Sequence, residues 1–230
     1  MNLMPRRIRL CPAGIPQHIV QRGNNRQACF TSDNDIKAYA HWLYEASSMF
    51  GVQVHAWVFM TNHVHLLVTP TEDMATSKMM QTIGRQYVRY FNYTHPRSGT
   101  LWEGRYHCSL VQEETFLLGC QRYIELNPVR AGMVDDPANY SWSSYRVNAL
   151  SVESKLHTPH PLYLRLGKTK LQRLSSYREL FQPHIDGELL IDIRYALNKG
   201  LVLGTDRFKA EVEELTGRRV HPMKRGRPRA

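Results

Sequence analysis

The sequence predicts an α+β fold: a ferredoxin-like β-α-β-β-α-β core, with an antiparallel sheet and helices on one face, then a further helix and a helical C-terminal extension. Three observations predict it. Runs with strand period and runs with helix period follow one another in that order through the first half of the chain. The two middle strand runs are separated only by Thr61 and Asn62, a joint short enough for a hairpin. Apolar residues make up 42% of 230, which suffices for the core of one generous domain.

Each element has its own signal. "GIPQHIVQRG" alternates apolar and polar residues and runs into "RGNNR", a strand followed by a turn. "TSDNDIKAYAHWLYEASSMFG" opens on N-cap candidates, carries Ile36, Tyr39, Ala40, Leu43 and Ala46 at helical spacing, and closes on Gly51. "VQVHAWVFM" and "HVHLLVTP" are the hairpin strands. "TEDMATSKMMQTIGRQYVRYFNYTH" reads as the second helix, acidic at its start and basic later, the order a helix dipole favours. After "PRSGT", the later part of "LWEGRYHCSLVQ" reads as the last core strand, and "EETFLLGCQRYIELNPVRAG" as a helix up to the residue before Pro128. Beyond residue 148 the chain reads as short helices, with Thr205 or Asp206 capping the last and Gly217 ending it. The expected division is a core of residues 1–148, a helical extension of 149–217 and a flexible basic tail of 218–230.

Charge narrows the function. Thirty Lys and Arg against twenty Asp and Glu leave +10, an excess suited to a polyanion, most simply nucleic acid. The four cysteines form no C-x-x-C pair, which argues against a zinc knuckle and gives no disulfide framework. No apolar stretch follows the basic N-terminus and none approaches membrane-spanning length, so the expectation is a cytoplasmic protein with reduced thiols and no membrane partner. No P-loop or other nucleotide fingerprint occurs, so no nucleotide cofactor is expected.

The informative stretch is "MTNHVHLLVTP", an apolar strand run interrupted by His63 and His65. Residues two apart on a strand share a face, so the two imidazoles stand side by side while Val64, Leu66 and Val68 enter the core. That geometry suits two nitrogens on one metal ion, and equally two rings hydrogen-bonded within a half-buried sheet. A histidine-triad phosphoryl transferase is excluded, because Leu67 occupies the third position. Later, Tyr123 and Asn127 lie four apart on a helix and share its face. An amide oxygen for a metal beside a phenol is one reading; packing at a helix end near a proline is the other.

"TNHVHLLV", then "LWEGRY", then "RYIELNPVRAG" resembles the REP-associated tyrosine transposases, in the single-tyrosine branch of the HUH nuclease superfamily. The resemblance runs from about residue 14 to residue 145. It implies a divalent metal, Mg²⁺ or Mn²⁺, held by His63, His65 and Asn127, with Tyr123 as nucleophile. It also implies a single-stranded DNA partner in the form of a REP-type hairpin, cut and rejoined through a 5′-phosphotyrosine. Such transposases work as monomers or homodimers, and the sequence leaves that open. A free phenol ionises at about pH 10, so an attacking tyrosine needs help in losing its proton; the sequence does not name the helper.

Candidate DNA contacts are Arg22, Asn24, Asn25 and Arg26 after the first strand, and Arg85 and Arg89 on the second helix, where Tyr and Phe alternate with the cations. The rings of that helix fit a core face as well as a stacking platform. "KRGRPR" in the tail, with Lys224, Arg225, Arg227 and Arg229, resembles an AT-hook for the minor groove, or adds phosphate affinity without sequence preference. Two alternatives stand beside the strand transferase: a metal-dependent phosphodiesterase using water, and a non-catalytic, sequence-specific DNA-binding protein.

Overall fold

The computed structural model describes residues 9–182 and 187–220. Strand β1 (Gln17–Arg22) leads through a 3₁₀ turn into helix α1 (Asp33–Met49). Ser32 caps that helix by accepting from Asp35 N, and the Asp35 carboxylate accepts from Ser32 N in return, so two otherwise orphaned donors are satisfied. Of the predicted inward stripe, Ile36, Tyr39, Leu43 and Ala46 are buried and Ala40 is half-buried. Strands β2 (Val52–Met60) and β3 (His63–Pro70) form the expected hairpin, Met60 pairing His63 across Thr61 and Asn62.

Helix α2 spans Ala75–Thr94. Its acidic flank falls outside it: Glu72 and Asp73 precede the helix, Met74 turns the backbone at φ 63°, and Asp73 accepts from Ala13 N at 2.8 Å. Strand β4 (His107–Val111), α3 (Glu113–Glu125) and the short α4 (Asn127–Arg130) follow. Helix α5 (Tyr145–Leu150) spans the expected boundary, and the extension adds α6 (Pro161–Leu164), α7 (Lys170–Glu179), α8 (Gly187–Lys199), β5 (Val202–Leu203) and α9 (Asp206–Thr216). Thr205 caps α9 and Gly217 ends it at φ 62°, as the sequence suggested.

The sheet order is β2-β3-β1-β4-β5. Its first four strands are antiparallel neighbours in ferredoxin-like order, and β5 joins β4 in parallel. That two-residue strand lies where the sequence read only helices. Helices α1 and α2 cover one face, in a core built on Ile19, Val54, Phe59, Val64, Leu66 and Val68. The opposite face is covered by α3 and α8: Leu117, Cys120, Tyr123 and Ile124, with Ile193 and Ala196, close over Ala56, Val58, Met60 and Leu67. Strand alternation therefore sends the valines of β3 to one helical layer and its histidines to the other. Among the described residues no helix is long and apolar enough to cross a membrane.

Candidate active site

His63 and His65 stand on the α3 side of β3, ring centroids 5.0 Å apart. Each is oriented by a partner on Nδ1. Asn62 donates through Nδ2 to Arg26 O at 3.1 Å, so its Oδ1 is the atom 2.6 Å from His63 Nδ1. An amide oxygen only accepts, hence His63 carries its proton on Nδ1 and leaves Nε2 bare. His65 Nδ1 lies 2.9 Å from Nε2 of His18, a third imidazole on β1 that is fully buried and stacked at 5.2 Å. The β1–β3 register sets this contact, pairing Val20 with His65 and His18 with Leu67.

Burial keeps all three rings neutral. It depresses His18 to about 3 and His63 to about 4, and holds His65 well below the usual imidazole range, with neighbouring positive charge adding to each. Neutral imidazole is the form that ligates metals. Among the described residues no group of three His, Cys, Asp or Glu gathers around a cation position, so a metal here rests on two imidazoles plus neutral donors.

Tyr123 comes from α3, its ring 5.9 Å from His65 and 5.7 Å from His18. It is 5% exposed. Asn127 takes up the helix-end role. Pro128 has no N–H to give Ile124 O, and Asn127 Nδ2 donates there instead at 3.1 Å, as well as to Tyr123 O at 3.0 Å. The amide nitrogen thus closes the helix end while Oδ1 is turned outward, accepting from Arg130 Nη2 at 2.8 Å. The Arg130 guanidinium lies 3.9 Å over the Tyr123 ring, and its buried Nε and Nη1 have no protein partner. Burial lowers the Arg130 pKa, with Tyr123 beside it acting the other way. A half-buried cation with unused donors above a phenol suits an anionic oxygen.

A cavity of about 500 Å³ joins these groups, with His63, His65, Tyr123, Asn127 and Arg130 on its walls and Arg22 and Arg26 at its rim. Asn24 and Asn25 shape the rim without lining it: Asn25 and Arg26 sit at φ 50° and 59°, left-handed conformations that cost roughly 1 kcal/mol each. Gly23 cannot be replaced there, since a Cβ would meet Gln27 O at 2.2 Å. Arg85 and Arg89 are exposed on α2, beyond the other helical layer, and do not approach the cavity; Tyr87 and Phe91 between them are core. Lys224, Arg225, Arg227 and Arg229 lie outside the described residues. His18 and Arg130 are the site residues that sequence reasoning missed. Arg130 had a signal, falling three residues after Asn127 and seven after Tyr123 on the same helical stripe.

A ferredoxin-like sheet that turns a His-x-His pair toward a helix-borne tyrosine defines a class, the tyrosine transposases. The model of the family described as "Transposase IS200 like" matches residues 13–127, half of the chain. The chain belongs to that family. Its fold is similar to that of a REP-associated tyrosine transposase solved bound to a REP hairpin, which is 18% identical; the match covers 69% of this chain and 93% of that one, with a TM-score of 0.55. A putative transposase from Deinococcus radiodurans R1 is 21% identical over 54% of this chain and 96% of its own, with a TM-score of 0.37. No curated protein matches.

Proposed function

We propose that the chain cuts and rejoins single-stranded DNA through a 5′-phosphotyrosine on Tyr123. The observation that supports this most is the convergence of the His63, His65 and Tyr123 rings on one cavity. In the first step the phenol oxygen of Tyr123 forms a bond to phosphorus as the P–O3′ bond breaks, and the departing 3′-oxygen takes up a proton. In the second a 3′-OH attacks the phosphotyrosine and frees the phenol, so no nucleotide is consumed. Arg130 supplies positive charge and free N–H donors at the phosphoryl oxygens. A bound Mg²⁺ or Mn²⁺ would add Lewis-acid stabilisation of the same charge. His63 and His65 would hold it through Nε2, and Asn127 would join through Oδ1 on the lone pair that Arg130 leaves free.

The REP hairpin in the similar structure supports a hairpin substrate for this chain. Tyr123 and both histidines meet within one chain, which supports a site that a monomer can complete. Residues 1–148 then form the catalytic unit and 149–217 an extension that closes over α3. Incubation of hairpin oligonucleotides, labelled on either side of the cut, with Mg²⁺ or Mn²⁺ tests the reading. A covalent adduct carrying the 5′-phosphate side, abolished by EDTA, is expected. Cleavage to a free 5′-phosphate without adduct would replace it with the water phosphodiesterase, and tight binding without cleavage with the non-catalytic protein.

Two substitutions probe the parts. His18→Ala leaves His65 Nδ1 without its partner and is expected to weaken Mn²⁺ binding, measured by calorimetry without DNA, by roughly 10- to 100-fold; His18→Gln, which keeps an amide oxygen to accept, should recover part of it. Arg130→Lys keeps the charge but loses the planar fork and the stack on Tyr123. Its single-turnover cleavage rate should fall by roughly 10²-fold, and an unchanged rate would remove Arg130 from the chemistry.

A further inference from the structure

A second cleft, of about 750 Å³, opens beside the catalytic cavity. Its walls carry Arg9, Arg105, His107, Lys199, Arg218 and Arg219 and, among the described residues, no carboxylate. His107 and Asn198 line both cavities, so the two adjoin at these residues. The sheet explains the opening. Strand β5 pairs only with Leu110 and Val111 of β4, leaving the His107 end of that strand's outer edge without a strand partner. The end of α8, turned by Gly200 at φ 61°, stands there instead and brings Lys199; the residues after α9 bring Arg218 and Arg219. Lys199 at a helix C-terminus also suits the helix dipole. Arg9 and Arg105 come from other segments; Arg9 donates through Nε to Tyr106 O at 2.8 Å and lies 4.0 Å over that ring, and burial, with Arg105 nearby adding to it, lowers its pKa.

We propose that this cleft holds the phosphates of the single-stranded DNA that flanks the cut, so that the extension forms one wall of the DNA path. The proposal rests on the nuclease reading above and adds to it a binding surface drawn partly from residues beyond 127, where the family match ends. Cations from four separate segments, on cleft walls that carry no carboxylate among the described residues, match a run of phosphates, and Glu103 lies in the catalytic cavity beyond them. A single strand fits better than a duplex, because the adjoining cavity holds a tyrosine that is 5% exposed and that a phosphate in an intact duplex cannot reach.

The test compares three oligonucleotides on the full chain by fluorescence anisotropy across a salt series: a blunt hairpin, the hairpin with a single-stranded extension, and the same extension made duplex. Lys199 and Arg219 are exposed, so Lys199→Ala with Arg219→Ala leaves the core intact. The double variant should bind the single-stranded extension roughly tenfold more weakly, with the slope of log K against log salt shallower by about 1.4, two phosphates' worth. Its affinity for the blunt hairpin should stay at the wild-type value, and Lys199→Arg with Arg219→Lys should restore the lost affinity. Equal affinity for the extended hairpin, or equal weakening on all three DNAs, would overturn the proposal. Adduct formation by the wild type on the same oligonucleotides reports separately: its absence removes the nuclease reading without touching the binding comparison.

Discussion

Tyr123→Phe is expected to abolish the covalent protein–DNA adduct while leaving hairpin affinity at the wild-type level. The phenylalanine ring can keep the edge contacts with His18 and His65 at 5.7 and 5.9 Å and remain under the Arg130 guanidinium, so fold and cavity shape survive. Only the attacking oxygen goes. Removing a nucleophile from an assembled site lowers turnover by roughly 10⁴-fold or more, which takes adduct formation below detection on a denaturing gel. Tyr87→Phe is the matched control. Tyr87 is buried in the α1–α2 core and donates to Cys29 O at 2.5 Å, on the far side of the sheet from the histidines, so its variant should still form adduct. An adduct that persists in Tyr123→Phe would dismiss the phosphotyrosine mechanism outright.

What the sequence could and could not show divides along the length scale of the interaction. His63 and His65 announce themselves because strand alternation alone puts both on one face. Tyr123 and Asn127 are neighbours by helical spacing alone. The order of the four core strands follows from local periodicity and one tight hairpin. His18 is different in kind: it lies far from the pair in sequence, and its contact with His65 exists only because β1 pairs β3 in one particular register. In "QHIVQR" it reads as an ordinary strand residue. The α3 layer is equally non-local, since nothing in "EETFLLGCQRYIELNP" says that this helix crosses to the face opposite α1 and α2. β5 consists of two residues whose strand character is conferred by β4 rather than by their own pattern. The start of α2 departs from its sequence signal for the opposite reason, a strong local preference overridden: Glu72 and Asp73 fit a first turn, but Asp73 is drawn to Ala13 N and the helix begins after them.

Glu125→Ala is expected to be among the most destabilising single changes in the chain. Two residues from Tyr123 on α3, its side chain points about 200° around the helix from the cavity, where it is fully buried. Ser144 Oγ and Asn148 Nδ2 donate to Oε1 at 2.5 and 2.8 Å, and Tyr177 of α7 donates to Oε2 at 2.7 Å. One carboxyl thus ties the tyrosine-bearing helix to the extension. Alanine would strand three buried donors and leave a cavity, a loss of about 4 kcal/mol or more, which for a chain of this size lowers Tm by roughly 10 °C. Thermal melts check it directly.

Glu125→Gln separates the hydrogen bonds from the charge. Burial outweighs the three donors and raises the Glu125 carboxyl to about 7 in the folded chain. A raised folded pKa means the folded state holds the proton more tightly than the unfolded one. That contribution to stability is fully present below the unfolded value of about 4.5 and is lost as pH rises through 7. The buried histidines run the other way: His18, His55, His63 and His157, depressed to about 3 or 4, favour folding above about 6.5 and cease to as pH falls toward those values. Their effect is common to wild type and variant and cancels in the difference between them. The stability of Glu125→Gln relative to wild type should therefore climb by on the order of 3 kcal/mol between pH 4.5 and 8. A difference that stays flat across that range would mean the carboxyl ionises in the folded chain as it does in water.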